Sequence, residues 1–213
     1  MAQSTELRAA RGRHAPPPEL RLPLQRQRLL GAGAAEFAER RYAAASAASI
    51  ARRAGMSKAT FYAHFANKLA CMLSLVDRAN EVVAEAMAAA ARSAGTNGAA
   101  RLHADTRAYL AAIAEHPGVA RTLLVEIVGA GPKAMARRDQ GMQLFAAILD
   151  AENAAAAKRG RSPRFASPYD SYAIVGGITE LHSRHVRLGE PEDVFELGPV
   201  IDRLIDGVLA RSS

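Results

Sequence analysis

The chain has 213 residues, a formal net charge of +7, 49% hydrophobic residues and a single cysteine. A chain of this length can bury a sizeable core in one large or two small domains, and one cysteine excludes a disulfide-stapled peptide. No apolar run is long enough to span a bilayer, and residues 1–20 lack the apolar segment of a secretory signal, so we expect a cytoplasmic protein with no membrane contact.

Alanine fills roughly a fifth of all positions, aromatic residues make up only 5%, and there is no tryptophan. Alanine has the highest helix propensity, and runs of β-branched residues are few. The sequence therefore predicts an all-α fold class.

The excess positive charge lies at one end of the chain. Residues 1–68 carry a net charge of +8, whereas the rest of the chain carries −1. Such a segment either meets a polyanion or is a solvated tail, and charge alone leaves both open. Residues 1–23 are rich in proline and arginine without an apolar period, so we expect a flexible basic arm there, either solvated or following a minor groove.

Three helices are predicted after the arm. Apolar residues recur at helical spacing from Leu29 to Phe37. Ser46 and Ser57 are plausible N-caps of two further short helices, and Gly55 supplies the turn between them. The first two predicted helices cover residues 24–41 and 47–54, and the third follows the Ser57 cap and ends near Asn67.

The rest of the chain is predicted to form longer helices separated by glycine and proline. These helices are expected at residues 68–94, 99–115, 119–128, 133–158, 169–188 and 199–210.

The second and third predicted helices form a helix-turn-helix motif, because Gly55 allows the turn and Ile50 and Phe61 can pack its corner. The polar face of the third helix is of the kind that enters a major groove, with Lys58 and Tyr62 on one side.

Several neighbouring side chains are candidates for phosphate contacts. Hydroxyl and imidazole groups can bond phosphate oxygens, and Ser57 also lies at a helix N-terminus, where free backbone N–H groups favour an anion. These candidates are Ser57, Thr60 and His64.

The segment between Leu29 and Lys68 resembles the DNA-binding domain of the tetracycline-repressor (TetR) family. The run A-G-M-S-x-x-T-F-Y-x-H-F-x-x-K, from Ala54 to Lys68, carries the resemblance together with Phe37 and Tyr42. The resemblance implies an all-helical homodimer in which three N-terminal helices bind double-stranded DNA and a C-terminal bundle dimerises and holds a small-molecule inducer. It also implies roles for individual side chains. Those expected to face bases are Lys58, Ala59 and Tyr62. Those expected to face the DNA backbone are Ser46, Thr60, Tyr62, His64 and Lys68.

Three positions depart from the family pattern. Arg41 replaces a glycine, and a positive φ at a non-glycine residue costs about 1 kcal/mol, so we expect a differently shaped turn there or an added phosphate contact. Ala45 replaces a threonine and Ala59 replaces a glycine, and these changes are expected to alter affinity or operator choice rather than abolish binding.

Residues 24–69 are predicted to be the DNA-binding domain and residues 70–213 the ligand-binding and dimerisation domain. The two final helices have wide apolar faces, and Gly176 and Gly177 indicate a close helix approach, so we expect these helices to pair with their copies in a four-helix interface. Ligand contacts are expected from apolar residues and from two polar groups in apolar stretches. The candidates are Leu110, Leu124, Glu126, Met142, Phe145, Tyr172 and His182.

No metalloprotease, nucleotide-binding or serine-hydrolase motif is present, so no enzyme activity and no cofactor is expected. The sequence favours a repressor that binds a palindromic operator as a dimer and is released by a small hydrophobic ligand. Two alternatives stay open. One is a DNA-binding dimer without an inducer, and the other is a metal-responsive regulator that uses Glu180, His182 and His185.

Overall fold

The computed structural model describes residues 18–93 and 98–210, and over these residues the chain is helical without any strand. The predicted all-α fold is thereby confirmed. The helices are α1 (Pro18–Ala44), α2 (Ala47–Arg53), α3 (Lys58–His64), α4 (Lys68–Ser93), α5 (Gly98–Glu115), α6 (Pro117–Leu124), α7 (Pro132–Lys158), α8 (Pro168–Leu188) and α9 (Gly198–Ala210), with 3-10 turns at Glu126–Ala130 and Val194–Leu197.

Two predicted boundaries were wrong. Helix α1 begins at Pro18 rather than near residue 24, so the last part of the predicted arm is helical, while residues 1–17 lie outside the described residues. The helix predicted over 119–128 ends at Leu124 and gives way to the 3-10 turn. The β-branched residues that follow Leu124 lower helix propensity there, which accounts for the early end.

Side-chain caps fix the ends of the short helices. The Ser46 hydroxyl accepts the N–H of Ser49, and the Ser49 hydroxyl accepts the N–H of Ser46, which makes a capping box at the start of α2. Ser57 caps α3 by accepting the N–H of Thr60. The predicted capping roles of Ser46 and Ser57 are therefore confirmed.

The buried residues form two hydrophobic cores. The first holds α1, α2 and α3 together around Phe37, Ile50 and Phe61, and it extends past the predicted boundary at residue 69 into α4. The second lies among α5, α8 and α9 around Ile174 and Ile201. Helix α4 packs on α1 and on α5, so it connects the two cores.

The close helix approach predicted at Gly176 and Gly177 is present. A Cβ atom on Gly177 would lie 3.0 Å from Leu204 Cδ2, so glycine lets α8 and α9 pack closely. This approach occurs within one chain, and the face of α9 that carries Ile201 and Ile205 is buried in the chain's own core.

Arg41 interrupts α1 with φ 65° and ψ 156°. Glycine alone occupies this region of backbone space freely, and other residues there carry strain of about 1–3 kcal/mol. Arg41 therefore adopts a backbone conformation that glycine would occupy without strain.

Replacing Arg41 tests this strain. We expect Arg41→Gly to have a free energy of unfolding about 1 kcal/mol above that of Arg41→Ala, since glycine relieves the strain but loses about 0.5–1 kcal/mol more backbone entropy on folding. Urea denaturation of both variants measures the difference. Arg41→Ala is the matched control because it removes the side chain and keeps Cβ, and a less stable glycine variant would show that no strain is stored at this residue.

Candidate DNA-binding surface and ligand cavity

The turn between α2 and α3 is held rigidly against α1. Gly55 has φ 67°, and the N–H of Met56 donates to the Ala51 carbonyl at 2.9 Å. The Arg28 guanidinium donates to the carbonyl of Ala54, the last residue before this turn, at 2.8 Å. Because backbone and side-chain bonds both fix the turn, α3 has a defined orientation on α1.

Helix α3 has one buried face and one solvent face. Phe61 and Phe65 are buried in the first core, whereas Lys58, Ala59 and Tyr62 are exposed. The Lys58 ammonium lies 5.8 Å from the centre of the Tyr62 ring, and Tyr62 is 49% exposed. The three residues predicted to face bases therefore share the free side of α3.

The hydroxyl groups predicted to contact phosphate lie at helix starts. Ser46 and Ser57 are exposed, and each accepts a backbone N–H as an N-cap. Ser57 Oγ also lies 2.9 Å from Thr60 Oγ1, so these two hydroxyls share one hydrogen bond. A hydroxyl that only accepts a bond keeps its own hydrogen, so Ser46 and one of the pair Ser57 and Thr60 can still donate to a phosphate oxygen.

His64 connects α3 to α1. Its Nε2 lies 3.2 Å from Gln25 Oε1, and its carbonyl accepts a bond from Arg26 at 3.4 Å. The Arg26 guanidinium also stacks on the Phe65 ring at 4.6 Å and donates to the Ser74 hydroxyl. These contacts orient α3, and the phosphate contact expected of His64 stays a prediction.

Lys68 binds the protein backbone instead of pointing to solvent. Its ammonium donates to the carbonyls of Tyr42 at 2.7 Å, Ala43 at 3.2 Å and Ala45 at 2.9 Å. It also lies 4.4 Å from the centre of the Tyr42 ring. An ammonium group has three donors, so all three are directed at the end of α1 in this structure, and the DNA contact implied for Lys68 stays a prediction.

Not all the positive charge in this region is available to DNA. The Arg53 guanidinium forms ion pairs with Glu36, at 2.9 Å, and with Glu39. Glu36 is buried and also lies near the Arg40 guanidinium. Arg53 therefore stabilises α2 against α1.

A largely apolar cavity of about 120 Å³ lies between α4, α5, α7 and α8. A few polar side chains interrupt the apolar lining. They are Asn80, Asp105, Thr106, Tyr109, Arg138 and Thr179.

The cavity contains three of the predicted ligand residues, namely Leu124, Met142 and Phe145. Leu110 belongs to the second core and does not line the cavity. Tyr172 lies on the outer surface of α8, where it is 37% exposed.

The two polar ligand candidates also lie outside the cavity lining. Glu126 is buried and accepts a hydrogen bond from the N–H of Tyr42 at 2.9 Å, with Arg121 Nε 3.7 Å from its other oxygen. His182 is completely buried behind Tyr109, with the two ring centres 4.8 Å apart. Burial lowers the pKa of His182 to about 4, so this imidazole is neutral at physiological pH.

Asp105 was missed by the sequence analysis because an acidic residue in an alanine-rich helix normally faces water. It is 3% exposed, and its Oδ1 has no hydrogen-bond partner among residues 18–93 and 98–210. Burial raises the pKa of Asp105 to about 7, with a further rise from the Glu152 carboxylate that Arg101 partly opposes.

The metal-responsive alternative has no structural support. Glu180 pairs with Arg187, His182 is buried, and His185 Nδ1 lies 2.7 Å from the Pro191 carbonyl. No group of three or more potential metal ligands occurs in the part of the chain that the structure describes.

No helix among the described residues has the length and apolarity needed to cross a bilayer.

Comparison with known proteins gives a family match and several similar folds. The family of bacterial regulatory proteins called tetR matches residues 29–75. No curated protein matches the sequence.

Three solved structures illustrate the similarity of fold. The fatty acid degradation regulator FadR from Bacillus halodurans is 16% identical, with a TM-score of 0.78 over 92% of this chain and 98% of that chain. FadR from Bacillus subtilis, solved in complex with stearoyl-CoA, is 18% identical, with a TM-score of 0.75 over 85% of this chain and 98% of that chain. PfmR from Thermus thermophilus, a TetR family transcriptional regulator, is 22% identical, with a TM-score of 0.64 over 84% of this chain and 95% of that chain.

The family match covers the segment from α1 into α4, and the described helices have the fold of these solved regulators. The segment that contains α2 and α3 is therefore similar to the tetR family of bacterial regulatory proteins.

Proposed function

We propose that the protein is a repressor that binds a palindromic operator as a homodimer and is released by a small, mostly apolar ligand. The observation that carries this proposal is a wall shared by the first core and the cavity. Val76 of α4 and Ile127 of the 3-10 turn belong to the core that holds α3, and both also line the cavity. A ligand that moves this wall would therefore move the support of α3.

DNA recognition is assigned to the solvent face of α3. Lys58 and Tyr62 project from a helix that is fixed on its other side, as a helix in a major groove requires. In a dimer, two such helices enter grooves about one helical turn or a small multiple apart, with about 34 Å per turn. A twofold protein thus selects a twofold DNA sequence.

The outer surfaces of α8 and α9 support the proposed dimer. Tyr169, Tyr172 and Val200 are exposed there. Val175 and Ile178 of α8 line the cavity and do not belong to this outer surface. The interface is therefore assigned to the outward side of the two helices.

The volume of the cavity limits the size of the ligand. An apolar protein cavity of about 150 Å³ holds a molecule such as benzene, and this cavity measures about 120 Å³. The cavity thus favours a smaller ligand than the stearoyl-CoA bound in the FadR structure from Bacillus subtilis.

A structural path connects the cavity wall to the start of α2. Ile127 lines the cavity, and the adjacent Glu126 accepts the N–H of Tyr42. Tyr42 follows the strained Arg41, and its carbonyl is bound by Lys68 at the start of α4. Displacement of the 3-10 turn or of α4 would thus act on the junction that leads into α2 and α3.

The function is tested by selection from random-sequence duplex DNA, followed by footprinting of the enriched site. We expect the enriched DNA to contain two symmetric half-sites. Lys58→Ala and Tyr62→Ala should each weaken binding to this DNA about 5- to 150-fold, because a base contact contributes about 1–3 kcal/mol. Lys133→Ala, which removes an exposed lysine of α7, should bind as the wild type does. No enriched sequence would refute specific recognition, and an asymmetric single site would refute the dimer.

A second prediction concerns the Glu126 hydrogen bond. Glu126→Ala leaves the N–H of Tyr42 without its acceptor and is expected to weaken binding to the selected site about tenfold, although Glu126 lies outside α3. Glu126→Gln keeps an acceptor oxygen and should restore most of the affinity, whereas Glu115→Ala, at an exposed position, should have no effect. Fluorescence anisotropy with labelled operator measures all three, and full affinity in Glu126→Ala would exclude this path.

A further inference from the structure

We propose that Asp105 is the recognition group of the cavity and that the ligand is a small apolar molecule carrying a protonated amine. This inference rests on the proposed ligand-binding function and specifies the chemistry of that same cavity. It depends on three features of the cavity. They are a buried carboxyl oxygen without a hydrogen-bond donor, a local excess of negative charge, and a volume too small for one ligand to contact both Asp105 and the other charged residue of the lining, Arg138.

The first feature is the carboxyl group of Asp105. Asp105 lines the cavity and is 97% removed from solvent, and no described residue forms a hydrogen bond with Oδ1. The neighbouring Thr106 is satisfied, because its hydroxyl donates to the Leu102 carbonyl at 3.2 Å. A buried acceptor without a donor is unfavourable, so a ligand that supplies a donor gains affinity from satisfying it.

The second feature is the balance of charge around this carboxyl. Arg101 lies one helical turn before Asp105, but its guanidinium forms a bidentate pair with Glu152, at 2.9 and 3.0 Å. With Asp105 ionised, Asp105, Glu152 and Arg101 together carry one net negative charge, and a ligand cation would balance it.

An ammonium group suits this position better than a neutral hydroxyl. It offers three donors and a full positive charge, and hydrogen bonds between ionised partners are about twice as strong as neutral ones. The pKa of Asp105, raised to about 7, falls when a cation binds beside it, so the ammonium would stabilise the carboxylate form.

The third feature is the distance to the other charged group in the lining. Arg138 and Leu149 both line the cavity on α7, and a helix rise of 1.5 Å per residue separates them by about 16 Å. Leu149 lies near the Asp105 end of the cavity. Arg101, one turn before Asp105 on α5, pairs with Glu152, which lies one turn after Leu149 on α7. A benzene-sized ligand cannot reach both ends.

Arg138 is the weaker recognition group of the two. Its Nε is buried without a hydrogen-bond partner among the described residues, but the side chain as a whole is only partly buried. A long arginine side chain can bury its stem and keep part of its charge in water, whereas the short side chain of Asp105 cannot. Recognition of an anion by Arg138 is therefore the competing outcome of the test.

The test uses four ligands of nearly equal size, namely benzylamine, benzyl alcohol, toluene and benzoate. Isothermal titration with the full-length protein at pH 8 should give benzylamine the highest affinity, about tenfold or more above toluene, with benzyl alcohol between them and benzoate weakest. Preferential binding of benzoate would overturn the proposal in favour of Arg138. Equal affinities for benzylamine and toluene, or no binding of any of the four, would also overturn it.

The matched variants are Asp105→Asn and Asp139→Asn. Asparagine keeps the shape and one acceptor but removes the charge, so the advantage of benzylamine over benzyl alcohol should disappear in Asp105→Asn. Asp139 is exposed on α7, and its variant should bind all four ligands as the wild type does. An unchanged preference for benzylamine in Asp105→Asn would overturn the proposal.

The thermal stability of the variants shows that a loss of binding does not come from unfolding. Burial raises the pKa of Asp105 in the folded protein to about 7, from an ordinary value of 3.8. Between these two pH values the folded protein keeps a proton on Asp105 that the unfolded chain has released. The free energy of unfolding of the wild type therefore falls as pH rises from about 4 to about 7. Asp105→Asn lacks this loss, and its melting temperature should exceed that of the wild type more at pH 8 than at pH 5. His182 titrates in both proteins and cancels in the comparison.

Operator binding separates this inference from the proposed function. The Asp139→Asn variant should bind the selected DNA with wild-type affinity in the absence of ligand, because Asp139 lies neither in the first core nor on α3. If benzylamine binds through Asp105 without weakening the DNA complex, Asp105 is confirmed as the recognition group, but the proposed release from DNA by a ligand is wrong. If the selected DNA is bound but benzylamine is not preferred, the amine inference fails alone.

Discussion

The position of α3 depends on the contact between Lys68 and the end of α1. Helix α1 is interrupted at Arg41, and the carbonyls that follow have lost their helical partners. The Lys68 ammonium binds the carbonyls of Tyr42, Ala43 and Ala45, and so fixes the entry to α2 from the first residue of α4. A cation beside the negative end of a helix is also favoured by the helix dipole. One side chain thereby sets the geometry of three helices.

The local features of the DNA-binding region could be predicted from the sequence because their causes are local. Ser46 and Ser57 cap helices through residues three positions away, and Phe61 is assigned to the core by helical spacing alone. Lys68 and Glu126 behave differently, since their partners lie 26 and 84 positions away. Spacing along one helix contains no information about such contacts, so the sequence could not predict the structural bonds that Lys68 and Glu126 form.

The cavity was harder to predict for the same reason. Its lining comes from helices far apart in sequence, and an apolar residue that faces the cavity has the same pattern as one that faces the core. Met142 and Leu110 illustrate this, because both lie on apolar helix faces and only Met142 lines the cavity. Asp105 was overlooked because acidic residues are rarely buried, and its unusual burial is also the reason to regard it as functional.

In the proposed mechanism, the shared wall lets a small ligand influence the DNA-binding surface without contacting DNA. Packed interiors do not deform continuously, so a displaced residue such as Val76 or Ile127 must move its neighbours in the first core. Those neighbours hold α3 in place, and the Glu126 bond transmits the same movement to the strained turn at Arg41. A coupling free energy of about 1–3 kcal/mol, which corresponds to a 5- to 150-fold change in affinity, is sufficient to release a regulator from its site. The strain at Arg41 lowers the energy needed to shift that turn, since a residue held in an unfavourable conformation gains free energy when its restraints loosen.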